Sequence, residues 1–355
     1  MKNSIKTLII CAFAAFTLFS ACETIIDFDD TEITPLLVVN SFVMPDSTII
    51  VEVSESKFFL ASEYYAKKVT DANVQLFVND EFVEQIEFFR AEIDTTKYVW
   101  SEFDYFSPSS DSIRPAPHNS VYVSKSKVKS GDKVKIKVSA PNFKESVWGE
   151  TVVPFPPQIL SFDTVSTQDN YYDQKKLTFS VKFQDNPNED NYYRIILGKY
   201  RKEIYVDDDN VLHIDSLYRY ETSYFDSDDM LFTNNNGIGG DLFAGYMRYY
   251  IFSDELIKDK EYTVKFEMWH NAEYFDYYPN DDWMNREHYE LEAFYVVKFQ
   301  TISKEYYQFL KSANAAANED ITGFFSEPTQ IFSNINGGIG VIGAYAESAF
   351  YVNFH

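Results

Sequence analysis

Histidine, cysteine and nucleophile elbows carry most recognisable protein chemistry, and this sequence offers little of each. Its five histidines are His118, His213, His270, His288 and His355, and none stands in an H-E-x-x-H arrangement. No G-x-S-x-G elbow occurs, and the only cysteines are Cys11 and Cys22. Acids are abundant, at 55. A carboxylate-dependent glycoside hydrolase therefore stays open as a reading, since two acids can converge from distant strands, but no pair is singled out. "DNPNEDN" supplies Asp185, Asn188 and Asp190, and "DSDD" supplies Asp226, Asp228 and Asp229. Their hard oxygens suit calcium, though neither segment has EF-hand spacing, and solvated turns are the competing reading. "GIGVIG" satisfies G-x-G-x-x-G through Gly338, Gly340 and Gly343. Too little sequence follows for the helix and acidic residue that dinucleotide binding requires. These glycines are expected to permit a strand turn and close backbone approach.

The richest internal stretch is "MWHNAEYFDYYPNDDWMNREHYE", residues 268–290. It places Trp269, Tyr274, Phe275, Tyr277, Tyr278, Trp283 and Tyr289 around a connection too long for a hairpin turn. Rings with polar edges can stack on sugars or meet a protein partner, and they can equally close a core. Trp269, Tyr274, Tyr277, Tyr278, Trp283 and Tyr289 are the candidate binding residues. His270 and His288 with Asp276, Asp281, Asp282 and Glu287 form a weaker candidate metal group beside the solvated-loop reading.

The chain opens with Met1, Lys2 and Lys6, then runs apolar from Leu8 to Phe19. A basic start and about a dozen apolar residues describe an export signal, and the run is short of the ~20 residues a membrane span needs. Ser20 and Ala21 precede Cys22 and suit cleavage just before it. This resembles the bacterial lipoprotein signal, with Phe19 a departure from its usual small aliphatic. The resemblance implies fatty acylation, palmitate included, at Cys22 and a stable membrane anchor, because two or more chains hold where one does not. Glu23, Asp27, Asp29, Asp30 and Glu32 follow. They resemble the acidic tags that send some lipoproteins to the cell surface; a solvated linker is the alternative.

Removing Lys2 and Lys6 moves the formal charge from −24 to −26. Such a balance repels phosphate backbones, which excludes nucleic acid as a natural partner. The roughly 334 residues from Cys22 onward allow two domains of ordinary size. Period-two alternation dominates them. Ile49, Val51 and Val53 share one face; so do Val74, Leu76 and Val78, ahead of an Asn79-Asp80 turn. Val134, Ile136 and Val138 oppose Lys133, Lys135 and Lys137, while Leu177, Phe179, Val181 and Phe183 repeat the pattern, as do Tyr193, Ile195 and Leu197. Half-buried strands at this spacing indicate antiparallel sandwiches. Pro154, Pro156 and Pro157 cannot lie inside a central strand and mark a boundary near 155.

The expected organisation is mainly β, with two antiparallel β-sandwich domains of immunoglobulin or fibronectin type. A signal over 1–21 and an acidic tether over 22–34 precede sandwiches over 35–155 and 156–355. The second carries an insertion (201–255), the aromatic loop (271–289) and one helix (303–318), capped by Ser303 with Tyr306, Phe309, Leu310, Ala313 and Ala317 as its apolar stripe.

"PLLVVNSFVMPDSTIIVEVSES", "VTDANVQLFVND", "FQDNPNEDNYYRIIL" and "FSEPTQIFSNINGGIGVIGAY" resemble recurrent blocks of a Bacteroidota lipoprotein family, domain of unknown function 4249. The resemblance covers nearly all of the chain beyond the signal. It implies an outer-membrane lipoprotein that often accompanies a TonB-dependent β-barrel transporter. Together with the acidic tag and the lack of catalytic motifs, the expectation is a surface-exposed, non-catalytic accessory in nutrient uptake, with no cofactor apart from the calcium reading above. A surface glycan-binding module using the 268–290 aromatics is the alternative expectation.

Overall fold

The alternating segments become strands. The computed structural model describes residues 34–57, 66–90, 120–169, 174–187, 189–206, 212–214, 219–233, 249–270, 273–274, 288–322 and 330–353. The first half gives β1 (Leu37–Val43), β2 (Ile50–Glu55), β3 (Asn73–Val78), β4 (Glu81–Arg90), β5 (Ser120–Val123), β6 (Lys133–Ser139) and β7 (Val147–Val152). The second gives β8 (Gln158–Asp169), β9 (Gln174–Gln184), β10 (Tyr192–Val206), β11 (Leu212–Ile214), β12 (Arg219–Ser223), the one-turn helix α1 (Met230–Thr233), β13 (Tyr250–Ser253), β14 (Glu261–His270), β15 (Glu273–Tyr274), β16 (His288–Ile302), helix α2 (Lys304–Thr322) and β17 (Ile339–Asn353). Leu36–His355 is one compact unit, distinct from Met1–Pro35. The signal, Cys22 and most of the acidic tether lie outside the described residues.

In the larger sheet the strands run β11-β10-β16-β17-β1-β2-β5-β4-β3-β6-β7, with β12 and β13 also on β10 and β15 on β16. The hairpin between β3 and β4 turns at Asn79 (φ 52°) and Asp80 (φ 66°), two left-handed residues whose twist suits a two-residue connection. The strip from β17 to β7 closes on itself. Trp148 in β7 and Asn336, just before β17, exchange two backbone hydrogen bonds of 3.2 and 2.7 Å. The first core fills this loop of strands: Val39, Val51, Val74, Leu76, Val134, Ile136 and Val138, joined by Ile342 and Ala344 from the far end of the chain. Lys133, Lys135 and Lys137 take the wet face, as the alternation requires.

A three-stranded sheet, β14-β9-β8, packs on the second half. Leu177, Phe179, Val181, Phe183, Val264 and Phe266 meet Tyr193, Ile195, Leu197, Val297 and Phe299 across the second core. The fold is therefore mainly β and mostly antiparallel. Among the described strand pairs only β1 and β17 run parallel.

The proline segment near 155 separates residues of the first core from those of the second, but β17 belongs to both. Its residues 339–344 pair with β1, and 345–353 pair with β16. Within the expected 201–255 insertion, β10 runs on to Val206, and among the described residues β11, β12 and β13 pair back along β10.

Helix α2 starts where Ser303 predicts. The Ser303 Oγ accepts from Tyr306 N at 3.3 Å and from Ala344 N at 3.1 Å, tying the helix start to β17. Such a cap is generally worth about 0.5–2 kcal/mol. The helix passes the expected stop at Asn318 and ends at Thr322. An Ala-rich run has high helix propensity, and Asn is a weaker terminator than Gly. Tyr306, Leu310 and Ala313 are buried as the stripe predicts, with Tyr307 buried beside them.

Candidate binding surfaces

Because side chains alternate along a strand, the sheet of β13, β10, β16 and β17 has two faces. One faces the second core. On the other, the register fixes successive rows running across the strands. Tyr192, Ile302 and Tyr345 form the first, beneath α2. Ile251, Arg194, Gln300 and Glu347 form the next. Here Arg194 donates to the Tyr306 hydroxyl of α2, and its guanidinium lies 5.6 Å from the ring centres of Tyr249 and Tyr306. Gln300 Nε2 donates to Glu347 Oε2 at 2.9 Å. A buried guanidinium needs such donors' partners and ring faces to offset its lost hydration.

Further from the helix the row becomes aromatic. Tyr220 (β12) pairs with Tyr200 (β10), which pairs with Phe294 (β16), and their ring centres are 4.8 Å apart in both cases. Tyr351 (β17) adjoins Phe294 at 6.1 Å and is 67% exposed. Gly198 makes room for the row, because a Cβ there would lie 2.3 Å from the Tyr220 ring. Cross-strand aromatic pairs contribute roughly 0.2–1 kcal/mol each to a sheet. The row ends in an exposed phenol that can stack or hydrogen-bond outward. The sequence does not single out these four residues, since each strand contributes one ring: the register aligns Tyr220, Tyr200 and Phe294 and sets Tyr351 diagonally beside them, opposite Val296.

The sequence-predicted aromatics are divided between layers. Trp269 lies next to the end of β14 on the outer face of the three-stranded sheet, 45% exposed, with Lys176 Nζ 5.5 Å from its ring centre. Tyr274, on β15, pairs with His288, and Tyr289 pairs with Glu273, both in the larger sheet. Tyr277, Tyr278 and Trp283 lie outside the described residues, as do His118, His355, Asp276, Asp281, Asp282 and Glu287. His213 lies on β11 and His270 closes β14.

The acidic turns form a latch. Asp185 is fully buried and accepts from the Tyr193 hydroxyl at 2.7 Å and from Asp259 N at 2.8 Å. Burial pushes the Asp185 carboxyl above its usual range, against the pull of both donors. The Tyr193 phenol is raised by burial and by the adjacent carboxylate. Asp254 accepts from Asn191 N at 2.9 Å, and exposed Asp190 pairs with Lys258 at 2.6 Å, which holds the Asp190 carboxyl below its ordinary range. These bonds clasp the β9–β10 turn to the segment between β13 and β14. Of the three calcium candidates, Asp185 and Asp190 thus sit in this latch, and Asn188 lies outside the described residues. In "DSDD", Asp229 accepts from the Tyr262 hydroxyl at 2.8 Å, and burial together with that carboxylate pushes the Tyr262 phenol up to about 12. Among the described residues no group of three or more His, Cys, Asp or Glu side chains is placed to hold a metal ion.

Gly338, Gly340 and Gly343 lie on or beside β17 against β1 and α2. Added Cβ atoms would come within 2.6 Å of Leu37 O, 2.2 Å of Val39 O and 2.8 Å of Tyr306 Cβ respectively. The motif serves close backbone approach.

Fold and surfaces define a mainly β protein with a strand-borne aromatic row and a hydrogen-bonded acidic latch. The chain belongs to the family described as Domain of unknown function (DUF4249), whose model matches residues 23–350. No curated protein gives a significant match. Among the described residues no helix is long and apolar enough to cross a membrane.

Proposed function

We propose that this chain is a Bacteroidota lipoprotein built on two β-sandwich modules, anchored to the outer membrane through acylated Cys22 and exposed at the cell surface. It works without catalysis beside a TonB-dependent β-barrel transporter in nutrient uptake. The observation that carries this reading is the place of Cys22. It follows a short apolar run and stands one residue before the matched region. As a tether, residues 22–34 would span at most about 43–47 Å. A tether of that length keeps partners at high local concentration, so a modest interface suffices.

Mass spectrometry of the membrane-extracted protein is expected to find a diacylglyceryl group and an amide-linked acyl chain on Cys22. The Cys22→Ala variant should leave the membrane fraction, and detergent extracts of the native protein should co-purify a large β-barrel. An unmodified Cys22, or native protein free in the medium, would end this reading.

A second reading, glycan binding, is favoured by the exposed ring of Tyr351 at the end of the aromatic row. Under it, neutral polysaccharide in a native gel should retard the protein, and Tyr351→Ala should relieve that retardation at least severalfold. Equal mobility of both proteins at every polysaccharide concentration would remove the row from glycan recognition.

A further inference from the structure

The three-stranded sheet has two edges, and the chain treats them differently. Along β14, Asp226 and Glu267 exchange two backbone hydrogen bonds of 2.8 Å, and Ser227 Oγ donates to Lys265 O. That strand also carries Glu261, Lys265 and Glu267. At the other edge β8 pairs with β9 on one side over its whole length, and among the described residues no strand pairs with its outer side. Its exposed run reads Ser161, Asp163, Thr164, Val165, Ser166 and Thr167, with Val165 59% exposed. Natural edges are blunted by charge, proline, shortness or cover; this one is long, rich in β-forming residues and carries a single charge in that run. A row of unpaired backbone donors and acceptors selects an extended strand as its occupant.

We infer that the occupant is β8 of a second copy, added antiparallel about a two-fold axis through Thr164. Directly opposed residues in an antiparallel pair must share a face, so residue i can meet only a residue of the same parity. Ser161, Asp163, Val165 and Thr167 lie outward, opposite Lys182, Ser180, Thr178 and Lys176 of β9. An axis through residue 163 would set Asp163 against Asp163. Shifting it to 164 sets Asp163 against Val165, Ser161 against Thr167 and Thr164 against itself, and it remains near the middle of β8. Threonine pairs are favourable across strands, and no like charges meet. The irregularity between Ile159 and Ser161 ends the regular edge at one side, which confines the new ladder to about residues 161–167.

Such a ladder buries less than the ~1,200 Å² of a stable interface, so the dimer is weak in dilute solution. Copies held on one membrane by the proposed anchor meet at far higher effective concentration. The anchored chain's charge of −26, without Lys2 and Lys6, opposes association at long range, and salt therefore strengthens the dimer.

The test is disulfide trapping of the full chain in its own envelope. Opposed antiparallel residues have Cα atoms about 4.5–5.5 Å apart, within disulfide reach. Thr164→Cys should give a covalent dimer on non-reducing gels, several times more than Thr167→Cys alone, and Ser161→Cys combined with Thr167→Cys should restore it. In the purified full chain in detergent, Ser161→Lys with Thr167→Lys should weaken self-association about tenfold, while Ser161→Lys with Thr167→Glu should recover it. Absence of dimer in every β8 cysteine variant, or equal yield at 164 and 167, would overturn the proposal. So would trapping of Thr164→Cys to a polypeptide of different mass, which would assign the edge to another protein.

Discussion

Replacing Gly340 with alanine should destabilise the fold by about 2–5 kcal/mol, or prevent soluble accumulation altogether. Two effects add there. The backbone is left-handed, at φ +114°, where an L side chain generally costs about 1–2 kcal/mol. The new Cβ would also lie 2.2 Å from Val39 O and 2.9 Å from Val39 C, so the parallel seam between β1 and β17 must open, and such shifts cost about 1–3 kcal/mol. The two Val39 atoms are backbone, which cannot swing aside as a side chain can, and Asn40 Oδ1 crowds the same place at 2.8 Å. The seam also holds Ile342 and Ala344 in the first core, so the damage spreads to packing. Gly337 is the control: it too is left-handed, at φ +78°, but its nearest atom to an added Cβ is 3.7 Å away. Gly337→Ala should cost only about 1–2 kcal/mol. Urea unfolding of the three proteins measures this directly. Equal midpoints for Gly340→Ala and Gly337→Ala would show that β1 and β17 do not approach as described.

The second large effect is at the acidic latch. Asp185→Ala removes the acceptor for the Tyr193 hydroxyl and for Asp259 N, with Tyr193 only 2% exposed. The buried Tyr193 hydroxyl left without a partner costs about 1–3 kcal/mol and the lost bond at part-buried Asp259 N about 0.5–1.5 kcal/mol, so a loss of about 1.5–4.5 kcal/mol is expected. Asp185→Asn keeps one acceptor oxygen and should lose less. The two variants also separate charge from hydrogen bonding. Burial raises the folded pKa of Asp185 above its unfolded value. Its titration therefore adds stability below the ordinary carboxylate range, and that contribution is lost as pH climbs through the raised folded value. The stability of the native protein relative to Asp185→Asn should accordingly fall as pH rises from about 4. A difference that stays flat or grows over that interval would mean that the carboxylate is not held in a desolvated site.

Strand identity was legible because it is local. Val134, Ile136 and Val138 had to face away from Lys133, Lys135 and Lys137 whatever else the chain did, and Asn79-Asp80 announced its turn by residue type alone. Ser303 as a helix cap follows from the same short-range chemistry. Tyr307 escaped because a stripe read at helical spacing assumes one buried face, whereas α2 starts wedged between β17 and the Tyr192–Ile251 edge. The candidate acids were legible as oxygens, but their hydrogen-bond partners were not. Asp185 meets Asp259 only after β10, β11, β12 and β13 have brought the turns together.

By itself, then, the sequence determined a mainly β chain with short wet-and-dry strands, an acidic surface and a lone cysteine behind an apolar start. Tertiary structure decided which strands are neighbours. It sent β17 back to lie parallel to β1, 301 residues away at the Val341–Asn40 hydrogen bond, and made one strand serve two cores. It also aligned Tyr220, Tyr200, Phe294 and Tyr351, and left β8 at an edge while β14 was capped. The reason is that side-chain alternation has a period of two residues and is written locally, whereas pairing and register depend on contacts between distant segments, which no short window contains.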